Sequence, residues 1–350
     1  MALLETLLAS PVLWLQDDWN VGHPCICVEV KLSRNIAGMP FPAVASPTDR
    51  AAAAKVVAEA LDGMRLRQVR LDESGGLERQ IMRERRMISL ALSLGPCFTW
   101  LFWREDGGLS VAVNEEDHIR IRAIRPGWQV KEALDEAYAA ETAIAATTQF
   151  AHSPKFGYLT SVYQGSGSGM RLSVLAHIPA TVLTDSLSSV VDKANELGIE
   201  VGGCFGDQSV GTGNFYHFYS QPASRTTVPE SVEKLRLMCN FIELHERAAR
   251  KAVAESRHWQ NAIGRSYGVL RYSTELEYNT AMDALSLSML GMALGLGSRT
   301  PNELKRLFVD VMPGHLHASA MDGREKTSEE EVRAEIVRKF LWDRKNLVLD

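Results

Sequence analysis

The chain has 350 residues, which suggests two domains or one large domain with an appendage. Apolar residues make up 45% and charged residues 23%, an ordinary globular mix that excludes disordered, collagenous and disulfide-scaffold classes. Net charge is −5, from 38 basic and 43 acidic residues, so no electrostatic footprint for nucleic acid or an anionic membrane is expected. No apolar run reaches the ~18 residues of a bilayer span.

The apolar stretch from Met1 to Leu15 carries Glu5 and lacks a basic start, so it reads poorly as a signal peptide. The five cysteines are odd in number and lack disulfide-type spacing, which favours a reducing, cytoplasmic setting. His23-Pro24-Cys25-Ile26-Cys27 pairs two thiols one residue apart. Zinc sites use wider spacing and a distant second pair, so no metal-ligating set is assigned. Ala51 to Leu61 predicts a helix, capped by Thr48 or Asp49 after Pro47. The apolar runs Phe98–Trp103 and Leu109–Val113 flank Asp106-Gly107-Gly108, the pattern of a hairpin. A helix is expected over Glu132–Thr148 and a buried strand over Leu172–Ile178. Leu187, Val190, Val191, Ala194 and Leu197 share one helix face, and Gly198 ends it. Past Tyr219 strand signals nearly vanish. A long helix over Val232–Ile263 is expected to break near Arg265–Gly268, followed by helices over Glu275–Leu290, Pro301–Val311 and Ser328–Trp342. The fold class expected is α+β: an antiparallel sheet flanked by helices over residues 15–255, then an all-helical domain over 256–350.

Four segments could carry chemistry. From His118 to Ala123 polar and apolar residues alternate, the period of a half-buried strand. His118, Arg120 and Arg122 then share one face, with Ile119 and Ile121 turned to the core. If the strand extends back, Glu116 joins the polar face ~13 Å from Arg120, too far for an ion pair but suited to opposite ends of a pocket. A solvated strand with mixed charges is the alternative. Gly165-Ser166-Gly167-Ser168-Gly169 precedes Arg171 and could bring backbone N–H groups to an anion. It lacks a P-loop ending and enters a strand, so a flexible surface loop is the other reading. Gly202-Gly203-Cys204-Phe205-Gly206-Asp207 reads equally as a turn between strands. Ser33 to Pro42 receives no role from physical reasoning alone.

Together these segments resemble the ATP:guanido phosphotransferase family, and within it the bacterial protein-arginine kinases. Asn114-Glu115-Glu116-Asp117-His118-Ile119-Arg120 matches the family's Asn-Glu-Glu-Asp-His signature without a change. Ser33 to Pro42 is similar to its arginine-asparagine segment, and Phe156–Ser161 to the lead-in of its cysteine loop. Arg265–Leu270, Pro313–Leu316 and the last helix resemble the helical C-terminal domain of the protein-arginine kinases. The resemblance implies transfer of the γ-phosphoryl of Mg-ATP to a guanidinium nitrogen of arginine in a protein. It implies that Glu116 orients the guanidinium and takes its proton, that Asp207 helps hold it, and that Lys31, Arg120, Arg171, Ser173, Gly203 and Gly206 face the nucleotide. It also implies protein substrates with exposed arginines, a zinc-binding adaptor, stress-protease machinery and a homodimer.

The chain departs from the family pattern at several positions. Two phosphate-binding arginines are Glu29 and Lys31 here, a third is Gly202, the reactive cysteine is Val162 and an asparagine is Gly165. Arg86 replaces a family histidine and restores a charge. A phosphoarginine-sensing arginine is replaced by glutamate within Glu329–Ala334, a stretch that reads as a solvated amphipathic helix. Losing one preorganised donor typically costs ~3–4 kcal/mol in the transition state, so impaired turnover is expected. The alternative reading is a pseudokinase that regulates or binds within the arginine-phosphorylation and stress-response system.

Overall fold

A computed structural model describes residues 3–10, 12–13, 23–95, 98–204, 211–221, 226–297, 301–320 and 327–342. Ten strands occur in chain order: β1 (Cys25–Arg34), β2 (Arg67–Arg70), β3 (Trp100–Trp103), β4 (Leu109–Val113), β5 (Ile119–Pro126), β6 (His152–Ser153), β7 (Gly157–Tyr158), β8 (Met170–His177), β9 (Glu200–Gly203) and β10 (Phe215–Tyr219). Eight form one sheet in the order β2-β3-β4-β5-β1-β8-β10-β9, antiparallel at every pairing; β6 and β7 pair separately.

The helices up to residue 197 are α1 (Leu3–Ala9), α2 (Pro47–Leu61), α3 (Gly76–Glu84), α4 (Leu90–Leu94), α5 (Val130–Ala145), α6 (Pro179–Leu183) and α7 (Leu187–Leu197). After β10 come α8 (Val228–Glu255), α9 (Arg257–Tyr272), α10 (Tyr278–Ala293), α11 (Pro301–Asp310), α12 (Pro313–Ala320) and α13 (Glu329–Trp342). The α+β class with a helical C-terminal region is therefore observed.

Two local expectations are corrected. The cap of α2 is Ser46, not Thr48 or Asp49. Pro47 takes the first helical position, where its missing N–H costs nothing, and Asp49 closes a capping box back onto Ser46. The long C-terminal helix breaks at Ser256, whose backbone is extended (φ −113°, ψ 115°), and α9 runs unbroken through Arg265–Gly268. The Asp106-Gly107-Gly108 hairpin forms as expected; Gly107 supplies the positive φ of 74° its turn requires.

The sheet has two unlike faces because side chains alternate along each strand. One face carries Val28, Val30 and Leu32 of β1, Ile119 and Ile121 of β5 and Leu172 and Val174 of β8. These pack on α2, α5, α7 and α8 in the main core. The opposite face is graded. At one end Cys27, Ile124, Leu175 and Phe215 join Met282, Leu285, Phe308 and Val337 in a second core, so the C-terminal helices cover this end of the sheet. Further along the same face come charged and polar residues, Glu29, Ser173 and His217 among them, which are themselves buried.

Polar contacts fix that docking. Ser286 Oγ of α10 lies 2.7 Å from His177 Nε2 and accepts from Asn214 Nδ2 at 2.8 Å. Gly213 N donates to Asp283 Oδ1 at 2.8 Å. The buried Glu84 carboxylate accepts from the backbone N–H groups of Gly314 and His315 at the start of α12, at 2.7 and 3.1 Å. Arg333 on α13 is 1% exposed and donates to the carbonyls of Val311 and Leu276, each at 2.9 Å. This corrects the expectation of a solvated helix over Glu329–Ala334: Val332, Arg333 and Ala334 are buried, and Arg333 ties three C-terminal segments together.

Candidate active site

The segment Asn114–His118 forms a tight loop between β4 and β5. Asn114 adopts a left-handed conformation (φ 62°), which Asn tolerates better than most residues, and its N–H donates to His118 O at 2.9 Å. Its side-chain amide donates to Arg50 O and Phe98 O, at 2.8 and 2.9 Å. The loop therefore folds back on itself and does not continue the strand. That overturns the expected ~13 Å between Glu116 and Arg120. Arg120 Nη2 donates to Glu116 Oε2 at 2.9 Å, and Arg120 Nη1 lies 3.2 Å from Glu115 Oε1. Beyond the loop, Ile119 and Ile121 are buried as expected, and Arg120 and Arg122 share the opposite face. His118 is not with them at the surface; it is fully buried.

Each residue of the loop has a distinct task. Asp117 is buried and accepts from Asn35 Nδ2 at 2.8 Å and from Ser161 N at 2.7 Å. His118 Nδ1 accepts from Ile36 N at 3.2 Å, and His118 N donates to Asn35 Oδ1 at 2.9 Å. Glu116 remains half exposed at the rim of a cleft. Asn35 thus brackets the loop from the end of β1, a role for Ser33–Pro42 that physical reasoning on the sequence did not supply. Neighbouring Arg34 is structural: it is 2% exposed, donates to Glu141 at 2.7 Å and lies 3.7 Å from the ring centre of Tyr158.

The cleft has a volume of about 480 Å³ and is lined by Lys31, Ser33, Glu116, Arg120, Val162 and Arg171, among others. Register explains why these residues meet. Lys31 is opposite Arg122 on β5 and opposite Arg171 on β8, and Ser33 is opposite Arg120. Four cations therefore lie on adjacent positions of three strands, on one face. Arg171 pairs with Glu200 and lies 4.6 Å from the ring centre of Tyr219. The glycine segment before it is tethered, unlike the flexible loop of the second reading. Ser33 N donates to Gly169 O at 2.7 Å. Gly169 has φ 58°, and a Cβ there would stand 2.7 Å from Ser33 O, so both conformation and space demand glycine.

Behind the cleft lies a buried charged cluster. Glu29 is 1% exposed. Arg86 Nη2 donates to its Oε2 at 2.8 Å, Arg122 Nε is 2.8 Å from Oε1, and Lys31 Nζ is 3.1 Å from Oε1. The Arg122 contact is a close ion pair without hydrogen-bond alignment, since both atoms lack a geometrically sound hydrogen bond. Burial opposes ionisation of Glu29, but Lys31, Arg122 and Arg86 hold its carboxyl well below the usual range. Burial pushes the Lys31 ammonium down to about 8, with Glu29 opposing that shift. His217 is kept neutral by burial and by Arg86. Arg86 reaches in because the chain takes a left-handed turn there after α3 (φ 64°), and its Nη1 also donates to Cys204 O at 2.5 Å. Glu29 thus does not face the cleft as a lone negative charge. Nothing in the local pattern around Arg86 signals this long-range pairing.

Of the remaining expected site residues, Ser173 is buried with its hydroxyl 3.3 Å from His217 Nε2. Gly203 ends β9 opposite Tyr216. Gly206 and Asp207 lie outside the described residues. Among the described residues, no group of three or more His, Cys, Asp or Glu side chains is placed to hold a metal ion. No described helix is long and apolar enough to cross a membrane.

Comparison with known proteins agrees with this geometry. Residues 51–247 match the ATP:guanido phosphotransferase, C-terminal catalytic domain, and residues 256–347 match the protein-arginine kinase McsB C-terminal domain. A protein-arginine kinase of Desulforamulus reducens is 32% identical over 312 residues, covering 86% of this chain and 87% of that one. A protein-arginine kinase of Syntrophomonas wolfei is 30% identical, covering 96% of each. Among solved structures, the duplicated taurocyamine kinase of Schistosoma mansoni superposes with a TM-score of 0.57 at 23% identity, over 67% of this chain and 35% of that one. Lombricine kinase superposes with a TM-score of 0.56 at 17% identity, over 70% of this chain and 76% of that one. These two likenesses concern the fold. The chain belongs to the ATP:guanido phosphotransferase family, in its protein-arginine kinase branch.

Proposed function

We propose that the protein transfers the γ-phosphoryl of Mg-ATP to arginine side chains of other proteins. The observation that carries this reading is the Glu116 carboxylate at the rim of a cleft lined by Lys31, Arg120 and Arg171, with Arg122 opposite Lys31 on the same sheet face. Polyphosphate needs fixed positive charge, most of all on the oxygens of the group in flight. Arginine and lysine side chains supply it, and Arg120 is held in place by three carboxylates of its own loop. Magnesium, a hard cation that keeps several waters, would arrive with the nucleotide phosphates. Ser173, Gly203 and Gly206 belong to the nucleotide side of this reading.

A substrate guanidinium is protonated and a poor nucleophile. Glu116 would accept hydrogen bonds from it, orient one nitrogen and take its proton as the N–P bond forms and the bond from Pγ to the ADP oxygen breaks. Asp207 would share the task of holding the guanidinium. Glu116 pairs with Arg120, so a substrate arginine would replace one guanidinium partner with another.

Impaired turnover remains part of the proposal, because the lysine at 31 cannot form the bidentate fork of an arginine. A binding-only pseudokinase is the second reading, favoured by the carboxylate of Glu29 among the cations. A homodimer, a cytoplasmic setting, a zinc-binding adaptor and stress-protease partners are carried by the resemblance to protein-arginine kinases. The test is to incubate the protein with Mg-ATP and an arginine-rich protein and to seek acid-labile phosphoarginine by mass spectrometry. Phosphoarginine that requires the protein supports the kinase reading. A folded protein that binds Mg-ATP yet yields none supports the pseudokinase.

A further inference from the structure

Glu29 presents a problem that the phosphate-binding reading does not answer by itself. A carboxylate in a site built for phosphate should weaken it, and burying one is costly unless it is paired. Its position suggests why it is tolerated. Lys31 stands in register between Arg122 and Arg171, and Arg86 approaches the same Glu29 carboxylate. An ammonium among three guanidiniums, with only a quarter of its side chain exposed, is under pressure to lose its proton.

The other groups near Lys31 do not relieve that pressure. On β9, Glu200 is engaged by Arg171. At the rim, Glu116 and Asp117 face Arg120. On β10, the Tyr219 ring lies 5.8 Å from Lys31 Nζ and its phenol stays neutral, while His217 is neutral beside Arg86. Among the described residues, Glu29 is the carboxylate in ion-pair range of Lys31. The same carboxylate anchors Arg122, the next cation in the row.

We propose that Glu29 is a positioning residue for nucleotide phosphate: its buried carboxylate keeps Lys31 charged and Arg122 fixed, so that the row Arg122–Lys31–Arg171 meets the polyphosphate as three cations. This rests on the reading that the cleft takes Mg-ATP. Glu29 touches no substrate; it acts through Lys31 and Arg122. The consequence is specific. Removing its charge should make nucleotide affinity depend on pH, because acid can restore the proton that Glu29 no longer retains on Lys31.

The experiment measures the Kd of Mg-ATP by calorimetry between pH 6 and pH 9 for the wild type, Glu29→Gln, Lys31→Met and Glu29→Gln/Lys31→Met. The wild type should bind evenly at the acid end and weaken as the pH passes about 8. Glu29→Gln should bind about tenfold more weakly at pH 7.5 and recover towards wild type at pH 6, and both variants lacking Lys31 should lose the pH dependence. If Glu29→Gln fails to fold, Glu29→Asp with its shorter reach takes its place, and the expected result is the same shift of the profile to lower pH. A Glu29→Gln profile equal to wild type, weakened by one factor at every pH, or tighter at every pH would overturn the proposal. A wild type that does not bind Mg-ATP would instead overturn the reading beneath it.

Discussion

Replacing Asn35 with alanine should loosen the catalytic loop and destabilise the protein together. Asn35 is fully buried and its side chain makes three hydrogen bonds: from Nδ2 to Asp117 Oδ1 at 2.8 Å and to Leu159 O at 3.1 Å, and from His118 N to Oδ1 at 2.9 Å. Truncation leaves the His118 N–H without its acceptor and takes one of two hydrogen-bond donors from the buried Asp117 carboxylate. At about 1 kcal/mol for each partner left unmade, the loss is about 3 kcal/mol, with the charged partner at the upper end of the range. Urea unfolding followed by tryptophan fluorescence would read this as a lower midpoint at unchanged slope. Asn35→Asp should cost more, because it sets a second carboxylate against Asp117. A loss below about 0.5 kcal/mol for Asn35→Ala, or a milder effect for Asn35→Asp, would refute the assignment of Asn35 as the bracket of this loop.

Three further outcomes follow from the packing and the charges. Arg333→Ala should cost about 3 kcal/mol, measured by urea unfolding, because the carbonyls of Val311 and Leu276 lose a shared charged donor. Gly169→Ala should be destabilising and should raise the Kd for Mg-ATP, since the glycine is left-handed and its Cβ would press on Ser33 O, two residues along from the facing Lys31 and Arg171. Acid should destabilise the fold in a defined window: burial holds the His177 and His217 imidazoles well below the ordinary histidine value, so the unfolded state binds more protons once the pH falls below about 6.5. Stability is full above that pH and falls as the pH drops. His177→Asn should reduce the slope of unfolding free energy against pH in that window, with His118 and His217 carrying what remains.

Much of the architecture was legible because periodicity reports burial. The alternation from His118 to Ala123 identified Arg120 and Arg122 as one face, and the pattern ending at Gly198 located a helix whose last residue hands over to a left-handed glycine. What failed was geometry set by a single backbone choice. A strand extrapolated through Asn114 separates Glu116 from Arg120; a left-handed Asn114 brings them into contact. The break at Ser256 was missed because neither proline nor glycine marks it, and Gly264 and Gly268 drew the expected break into the middle of α9.

The site was legible where its residues are neighbours in sequence and obscure where they are not. Glu29 and Lys31 fall on one face of β1 by simple alternation. The partner of Glu29, Arg86, is 57 residues away and turns inward through its own left-handed backbone. The Asn35 bracket reaches 82 residues to Asp117. No local composition encodes either pairing; each depends on the sheet register that brings β1 beside β5.

The most direct measurement on the central claim compares wild type and Glu116→Gln for two properties at once: the Kd of Mg-ATP by calorimetry and the yield of phosphoarginine on an arginine-rich protein. Glu116 is half exposed, so the substitution should leave stability within about 0.5 kcal/mol. With Glu116 as the group that orients and deprotonates the guanidinium, affinity for Mg-ATP stays near wild type while phosphoarginine formation falls by about 10²–10⁴. Phosphoarginine formed by Glu116→Gln at the wild-type rate would contradict that role.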